Sequence, residues 1–285
     1  MATTVQQRWT TLMLILVVVL AAAVLAVPAL PAQAQPATCD GQTVTIFGTA
    51  GNDTITGTSG RDVIRAGAGN DTVFGLDGND IVCLGPSTDV FIGGLGNDIA
   101  VAEAALDGAD TFNGGTGIDT ASYAARTGAV NVSLDGAAND GAPGEGDNNI
   151  NVESVSGGAG NDTLSSSNAN VGRVLSGRAG IDTLIGSNGT DFLFGGDGVD
   201  FIFGGAGDDF LIGQEGDDRM SGGIGNDTLD GLQGDDTLAG NQGNDTLLGG
   251  DNNDTAVADG ILDGADRFTG GTGRDITDYS LRTGG

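Results

Sequence analysis

Single apolar residues recur every nine positions along this chain, each inside a short stretch bounded by glycine-rich polar sequence. Ile55, Ile64, Val73, Val82 and Phe91 form one series; Leu184, Leu193, Ile202, Leu211, Met220, Leu229, Leu238 and Leu247 form a second. Three residues suffice for a short strand whose middle side chain points inward. The polar positions keep the same phase. An aspartate stands two residues before each apolar position, and a glycine stands two before nearly every aspartate. Glycine adopts positive φ without steric cost, so the chain turns sharply there. A strict nine-residue period predicts a parallel β-coil, two units to a turn, with units eighteen apart stacked ~4.8 Å from one another.

That stacking decides the chemistry. Asp200, Asp218 and Asp236 line one edge of the coil, and Asp191, Asp209, Asp227 and Asp245 the other. Carboxylates at such spacing repel unless a cation lies between them. An all-oxygen environment of carboxylates and carbonyls suits Ca²⁺ better than Mg²⁺, which demands tight octahedral geometry and holds its waters. Transition metals are disfavoured, since the chain has no His. The alternative is a metal-free solenoid with asparagine-rich turns.

Gly204-Gly205-Ala206-Gly207-Asp208-Asp209-Phe210-Leu211-Ile212 reads G-G-x-G-x-D-x-U-x, where U is apolar. The units resemble the haemolysin-type (repeats-in-toxin, RTX) calcium-binding repeat over roughly 48–122 and 157–276. The resemblance implies an all-β fold, a right-handed parallel β-roll (β-solenoid). It also implies multiple Ca²⁺ ions between adjacent turns, held by the turn aspartates and glycine-loop carbonyls. The metal residues carried over are Asp53, Asp62, Asp71, Asp80, Asp89, Asp98, Asp110, Asp119, Asp162, Asp182, Asp191, Asp200, Asp209, Asp218, Asp227, Asp236, Asp245, Asp254, Asp266 and Asp275. Ser87 and Asn252 depart from the pattern at the loop glycine, Ala66 and Leu84 at the first glycine, and Ala100 and Ala256 at the core position. These departures weaken the expectation at Asp89, Asp98 and Asp254.

Composition sharpens the picture. There are 35 Asp and only 4 Glu, no Lys, ten Arg and 54 Gly among 285 residues, for a net charge of −29. Short carboxylates held in tight turns explain that bias; generic surface charge does not. So acidic and glycine-rich a chain is expected to be disordered without metal, so that calcium binding and folding become one event. The charge argues against nucleic acid and anionic membrane as partners.

Residues 1–34 read as a secretory signal peptide, with Arg8, an apolar run from Leu12 to Val27 and an Ala32-Gln33-Ala34 cleavage site. An uncleaved anchor is the rival reading. The expected compartment is extracellular, where millimolar calcium matches the ~10⁻⁴–10⁻³ M affinity of extracellular modules. In an exported chain Cys39 and Cys83 suggest a disulfide pinning the entry segment over the first turns, the alternative being two free thiols.

The expected organisation is a first roll block with its N-terminal cap (35–102), a junction (103–156), a second block (157–258) and a partial second junction (259–285). Residues 97–128 match 253–284 at 20 of 32 positions, so coil and junction form a larger repeat. Within the junction, Val130, Val132 and Leu134 alternate like a strand, as do Ile150 and Val152. The oxygen-rich loop 135–147 between them reads either as a further calcium site or as a solvated hairpin loop.

Three consecutive units carry apolar residues on the outward positions: Phe192 and Phe194, Phe201 and Phe203, Phe210 and Ile212. Such a patch marks self-association or docking, unless the junction covers it. With no His or Lys anywhere, and the sole Trp in the leader, the familiar nucleophile arrangements are missing, and no enzyme activity is expected. The reading is a secreted calcium-binding repeat protein with a structural or interaction role, its partners being calcium ions and an extracellular protein or glycan. The alternatives are the repeat region of a larger exported enzyme or adhesin, or a flat threonine face (Thr228, Thr237, Thr246, Thr255) for ice or carbohydrate.

Overall fold

The computed structural model describes residues 38–166, 170–258 and 264–278. The expected leader and Tyr279–Gly285 lie outside them. The described residues belong to one compact unit beginning at Thr38. It is a parallel β-solenoid with three walls. A long wall of twelve strands runs from Ile46–Phe47 to Arg267–Thr272. Facing it are a five-stranded wall, from Thr54–Thr56 to Asn148–Ile150, and an eight-stranded wall, from Asn131–Ser133 to Ile276–Asp278. Every strand pair in these walls is parallel; a small antiparallel pair, Thr38–Cys39 with Gln42–Thr43, lies at the entry.

The register follows the period read from the sequence. Phe192 pairs with Phe210, Thr228 with Thr246 and Phe201 with Arg219, each eighteen residues on. Where the long repeat inserts residues, the spacing lengthens and the ladder continues: Thr111 pairs with Val90, and Asn148 with Thr111.

The core is a file of inward side chains, one from each strand. Leu175, Leu184, Leu193, Ile202, Leu211, Leu229 and Leu238 are fully buried. Phe91 stacks on Phe112 with ring centroids 5.1 Å apart. Burial of each such side chain contributes about 1.5–3 kcal/mol, so the units of the second half rest largely on one apolar contribution each, whereas Val63–Arg65 and Ile81–Cys83 bury further apolar residues beside Ile64 and Val82. Ala66 and Leu84, which replace first glycines, are also buried.

The junction does not separate two coils. The long wall passes through it unbroken, by way of Thr120–Ser122, Ser154–Ser156 and Val174–Ala179. Only the opposite side changes over, the five-stranded wall ending and the eight-stranded wall beginning there. The two alternating stretches therefore do not form a hairpin. Asn131–Ser133 pairs with Thr163–Ser165, whereas Asn148–Ile150 pairs with Thr111–Thr116. Parallel stacking offers each stretch a ladder against the coil, and that outcompetes pairing with each other. The loop between them retains the antiparallel bridges Asn131–Gly141 and Asp140–Asp147.

Cys39 and Cys83 form a disulfide, tying the entry pair to the long wall.

Candidate metal centre

One carboxylate precedes nearly every strand, so the walls carry their aspartates in columns. Along the long wall the column runs Asp62, Asp80, Asp98, Asp119, Glu153, Arg173, Asp191, Asp209, Asp227, Asp245 and Asp266. The five-stranded wall carries Asp53, Asp71, Asp89, Asp110 and Asp147. The eight-stranded wall carries Asp162, Asp182, Asp200, Asp218, Asp236, Asp254 and Asp275. All twenty aspartates expected from the sequence fall on these columns.

Within a column each turn is linked to the next in one way. The main-chain N–H of one aspartate donates to Oδ1 of the aspartate one turn later: Asp191 to Asp209 at 2.8 Å, Asp209 to Asp227 at 2.9 Å, Asp218 to Asp236 at 2.8 Å. The second oxygen, Oδ2, is different. In Asp71, Asp80, Asp89, Asp98, Asp119, Asp182, Asp200, Asp209, Asp218, Asp227, Asp236 and Asp254 it is buried without a hydrogen-bond partner. Burying a polar oxygen unpaired costs about 1–3 kcal/mol, more when it is charged. Repetition of that cost along the coil requires a compensating partner.

The glycines define the space these oxygens face. A Cβ on Gly195 would lie 2.5 Å from Asp200 Oδ2 and 2.8 Å from the Gly213 carbonyl oxygen. On Gly75 it would lie 2.5 Å from Asp80 Oδ2 and 2.7 Å from the Gly93 carbonyl oxygen. Carboxylate and carbonyl oxygens thus converge beside a residue that must lack a side chain. Among the described residues no three Asp, Glu, Cys or His side chains gather at one point. Main-chain carbonyls must therefore complete any ligand set. That donor chemistry, all oxygen with orphaned carboxylate atoms, fits a hard cation.

Electrostatics agrees. Two charges ~4.8 Å apart repel by about 3–4 kcal/mol at an effective dielectric of ~20, more than one core side chain contributes. Burial pushes Asp182, Asp218 and Asp227 up to about 7 and Asp209 and Asp236 up to about 6. The N–H from the preceding turn opposes this rise, and the neighbouring carboxylates add to it.

Not every turn is open. Asp53 Oδ2 accepts from the N–H and hydroxyl of Thr49, at 2.6 and 2.8 Å, and Asp62 Oδ2 from those of Thr58, at 2.6 and 3.0 Å. Asp191 Oδ2 accepts likewise from Ser187, at 2.5 and 3.0 Å, and Asp162 Oδ2 from the Gly158 N–H at 2.7 Å. The sequence did carry a signal for three of these, since Thr or Ser replaces the second glycine of the unit.

The junction holds further groups that the nine-residue pattern did not reveal. Arg126, 3% exposed, pairs with Asp107 and, at 2.7 Å, with Glu145. Tyr123 donates to Asp147 Oδ2 at 3.1 Å and accepts from Asn149 Nδ2 at 3.1 Å. Asp140 accepts from the N–H groups of Ser133 and Asn149. The oxygen-rich loop therefore spends these carboxylates on the chain's own donors. Burial, with Asp147 and Asp107 alongside, lifts Asp110 to about 8 against the N–H of Asp89.

Residues 47–82, 85–121, 148–170, 174–202, 194–229, 221–256 and 262–277 match the RTX calcium-binding nonapeptide repeat. The chain belongs to this family. No individual curated protein matches it.

The RTX repeat accounts for the columns but not for the outward phenylalanines. Phe192 and Phe210 stack on the long wall with centroids 5.0 Å apart, each 42% exposed, so the junction does not cover them. Phe203, on the eight-stranded wall, is equally exposed, and the Arg219 guanidinium lies 5.6 Å from the Phe201 ring centroid. Phe194 and Ile212 are half-buried beside the stacked pair. The threonines divide between two walls, Thr228 beside Thr246 on one and Thr237 beside Thr255 on the other, each pair preceded by Phe210 or Arg219, so the threonine ladder on each wall spans these two turns.

Proposed function

We propose that this RTX chain is a secreted, non-catalytic protein that folds on binding calcium outside the cell and there serves a structural or interaction role. The observation that carries the reading is the repeated buried Oδ2 without a partner, facing a glycine carbonyl from the next turn. Asp71, Asp80, Asp89, Asp98 and Asp119 would hold the ions of the first half; Asp182, Asp200, Asp209, Asp218, Asp227, Asp236 and Asp254 would hold those of the second. Calcium bound there would neutralise the columns and supply the missing partner for each Oδ2. Asp245, Asp266 and Asp275 continue the same columns. The chain's own part is to fix Oδ1 through the N–H ladder, which aims Oδ2 at the cradle.

Export fits this coupling. The signal-like leader would take the chain from a calcium-poor cytosol, where repulsion opposes folding, to a calcium-rich exterior. The stacked Phe192 and Phe210 supply an apolar surface for association there. A role as the repeat region of a larger exported protein shares all these features.

The test is far-UV circular dichroism of residues 35–285 in chelator and across a calcium titration, with magnesium as control. A cooperative coil-to-β transition with calcium alone is expected. A β spectrum that persists unchanged in chelator would overturn the reading.

A further inference from the structure

The four closed turns are not scattered. Asp53 opens the column of the five-stranded wall, Asp62 that of the long wall, and Asp162 that of the eight-stranded wall. Asp191 opens the second half of the long-wall column, immediately after Glu153 and Arg173 interrupt the aspartates. Each series of aspartates thus begins, in chain order, with a turn that satisfies its own carboxylate.

A single backbone angle separates the two kinds of turn. In the open turns the residue four before the aspartate has positive φ: Gly67 before Asp71, Leu76 before Asp80, Arg178 before Asp182, Gly205 before Asp209, Leu232 before Asp236. Thr49, Thr58, Gly158 and Ser187 hold the same place in the closed turns and lie outside that region. Their N–H points at Oδ2; in the open turns no N–H does. Threonine and serine disfavour positive φ and add a hydroxyl donor, which favours the closed form at three of the four turns; at Asp162 a glycine, Gly158, takes it through its N–H alone.

The surroundings of the closed turns need no metal either. The strand that follows Asp62 meets the segment held by the Cys39–Cys83 disulfide: Arg65 donates to the Thr38 carbonyl at 2.9 Å. At the centre, Arg173 occupies the slot of a column aspartate. Its N–H donates to Asp191 Oδ1 at 2.6 Å, and its guanidinium lies 3.4 Å from Glu153. Arg126 pairs with both Asp107 and Glu145 in the junction. Three of the four glutamates, Glu103, Glu145 and Glu153, pair with arginine. The aspartates of the open turns keep their second oxygen without a partner.

We propose that Asp53, Asp62, Asp162 and Asp191 are metal-free starts, closed by their own turns, so that the entry and centre of the coil stay ordered without calcium while the aspartate series they begin order only with it. The proposal rests on the calcium reading above and refines it: these four aspartates leave the ligand list, and each calcium array grows from a preformed edge.

Hydrogen–deuterium exchange of residues 35–285 in chelator tests this directly, alongside calcium counting by equilibrium dialysis for the wild type, Thr58→Gly and Ser187→Gly. Expected in chelator are protected amides around 44–65, 154–166 and 186–192 and rapid exchange over 200–254. Each glycine variant should fold in calcium, bind additional calcium, and lose protection in chelator around its own turn. Uniform exchange of the wild type in chelator, or variants with unchanged calcium count and protection, would overturn the proposal. A wild type that binds no calcium at all would overturn the calcium reading and this refinement with it, whereas a calcium-binding wild type with inert variants sinks the refinement alone.

Discussion

The N–H of Asp209 donates to Oδ1 of Asp227 at 2.9 Å, while Oδ2 of Asp227 is buried with no partner. One carboxylate thus performs two tasks: one oxygen sets the register between turns, and the other is held ready. Asp227→Asn separates them. The amide carbonyl still accepts the N–H, but the charge is gone. Without calcium the variant should fold more readily than the wild type, because a repulsion of about 3–4 kcal/mol per neighbour is removed. With calcium it should be less stable and need several-fold more calcium to fold. Thermal melts in chelator and in calcium check this opposite pair of shifts; the same sign in both would contradict the division of tasks.

The pH dependence of the metal-free chain should run against that of ordinary acidic proteins. Burial raises Asp182, Asp218 and Asp227 to about 7 and Asp89 and Asp98 to about 6, whereas exposed carboxyls titrate near 3.9. A group whose folded pKa is raised binds its proton more tightly when folded. Its contribution to folding is therefore complete below about pH 4 and is lost as pH rises through 6 to 7. Circular dichroism in calcium-stripped buffer should show β structure gained on acidification. In calcium the trend should reverse, since protons compete for the same oxygens. A metal-free chain equally disordered at both ends of the range would show that protonation cannot replace the cation.

Period and phase were enough to put the twenty aspartates one residue before a strand or strand slot and the two named apolar series inside the coil, because an eighteen-residue turn leaves each position only one environment. The junction was harder to read. Val130 and Ile150 look like the two arms of a hairpin, yet each stretch joins a different wall, a choice made by the coil surfaces already present. Arg173 stands nine residues before Asp182 and eighteen before Asp191, in phase with the second series, so its slot was legible; what the period does not report is that an arginine fills it, beside Glu153. Thr49, Thr58 and Ser187 were visible as departures from the second glycine. Their meaning lies in a backbone angle, which composition does not report.

Leu232 holds φ of 72° at the second-glycine position and is 40% exposed. Left-handed backbone costs a β-carbon-bearing residue roughly 1–2 kcal/mol, and glycine's extra freedom in the unfolded chain costs about 0.5–1 kcal/mol. Leu232→Gly should therefore be neutral to stabilising in calcium, by up to about 1 kcal/mol. A melt showing clear destabilisation would mean that the leucine side chain contributes packing beyond the turn.

Cys39 and Cys83 are separated by 44 residues, and in the chain-entropy model such a bridge is worth about 4 kcal/mol. Replacing both with Ser should loosen the entry turns first. Exchange should accelerate around 44–65 in calcium, with 200–254 unaffected, because the N–H ladders carry stability only between neighbouring turns. Uniform acceleration along the chain would instead indicate one cooperative unit.

The stacked Phe192 and Phe210 give the last prediction. Two rings 42% exposed are costly in water, and their neighbours Phe194 and Ile212 extend the apolar strip along the same wall. Thr occupies the equivalent position at Thr228 and Thr246, one and two turns beyond Phe210, so the wall accepts Thr there without strain. Phe192→Thr with Phe210→Thr should leave the calcium-induced circular dichroism transition intact. If the strip is an association surface, the wild type should self-associate in calcium by sedimentation velocity and the double variant should remain monomeric. Identical monomers for both chains would remove self-association as the use of these rings. The buried core file beneath them is untouched by the change, so a loss of folding could not be mistaken for a loss of association.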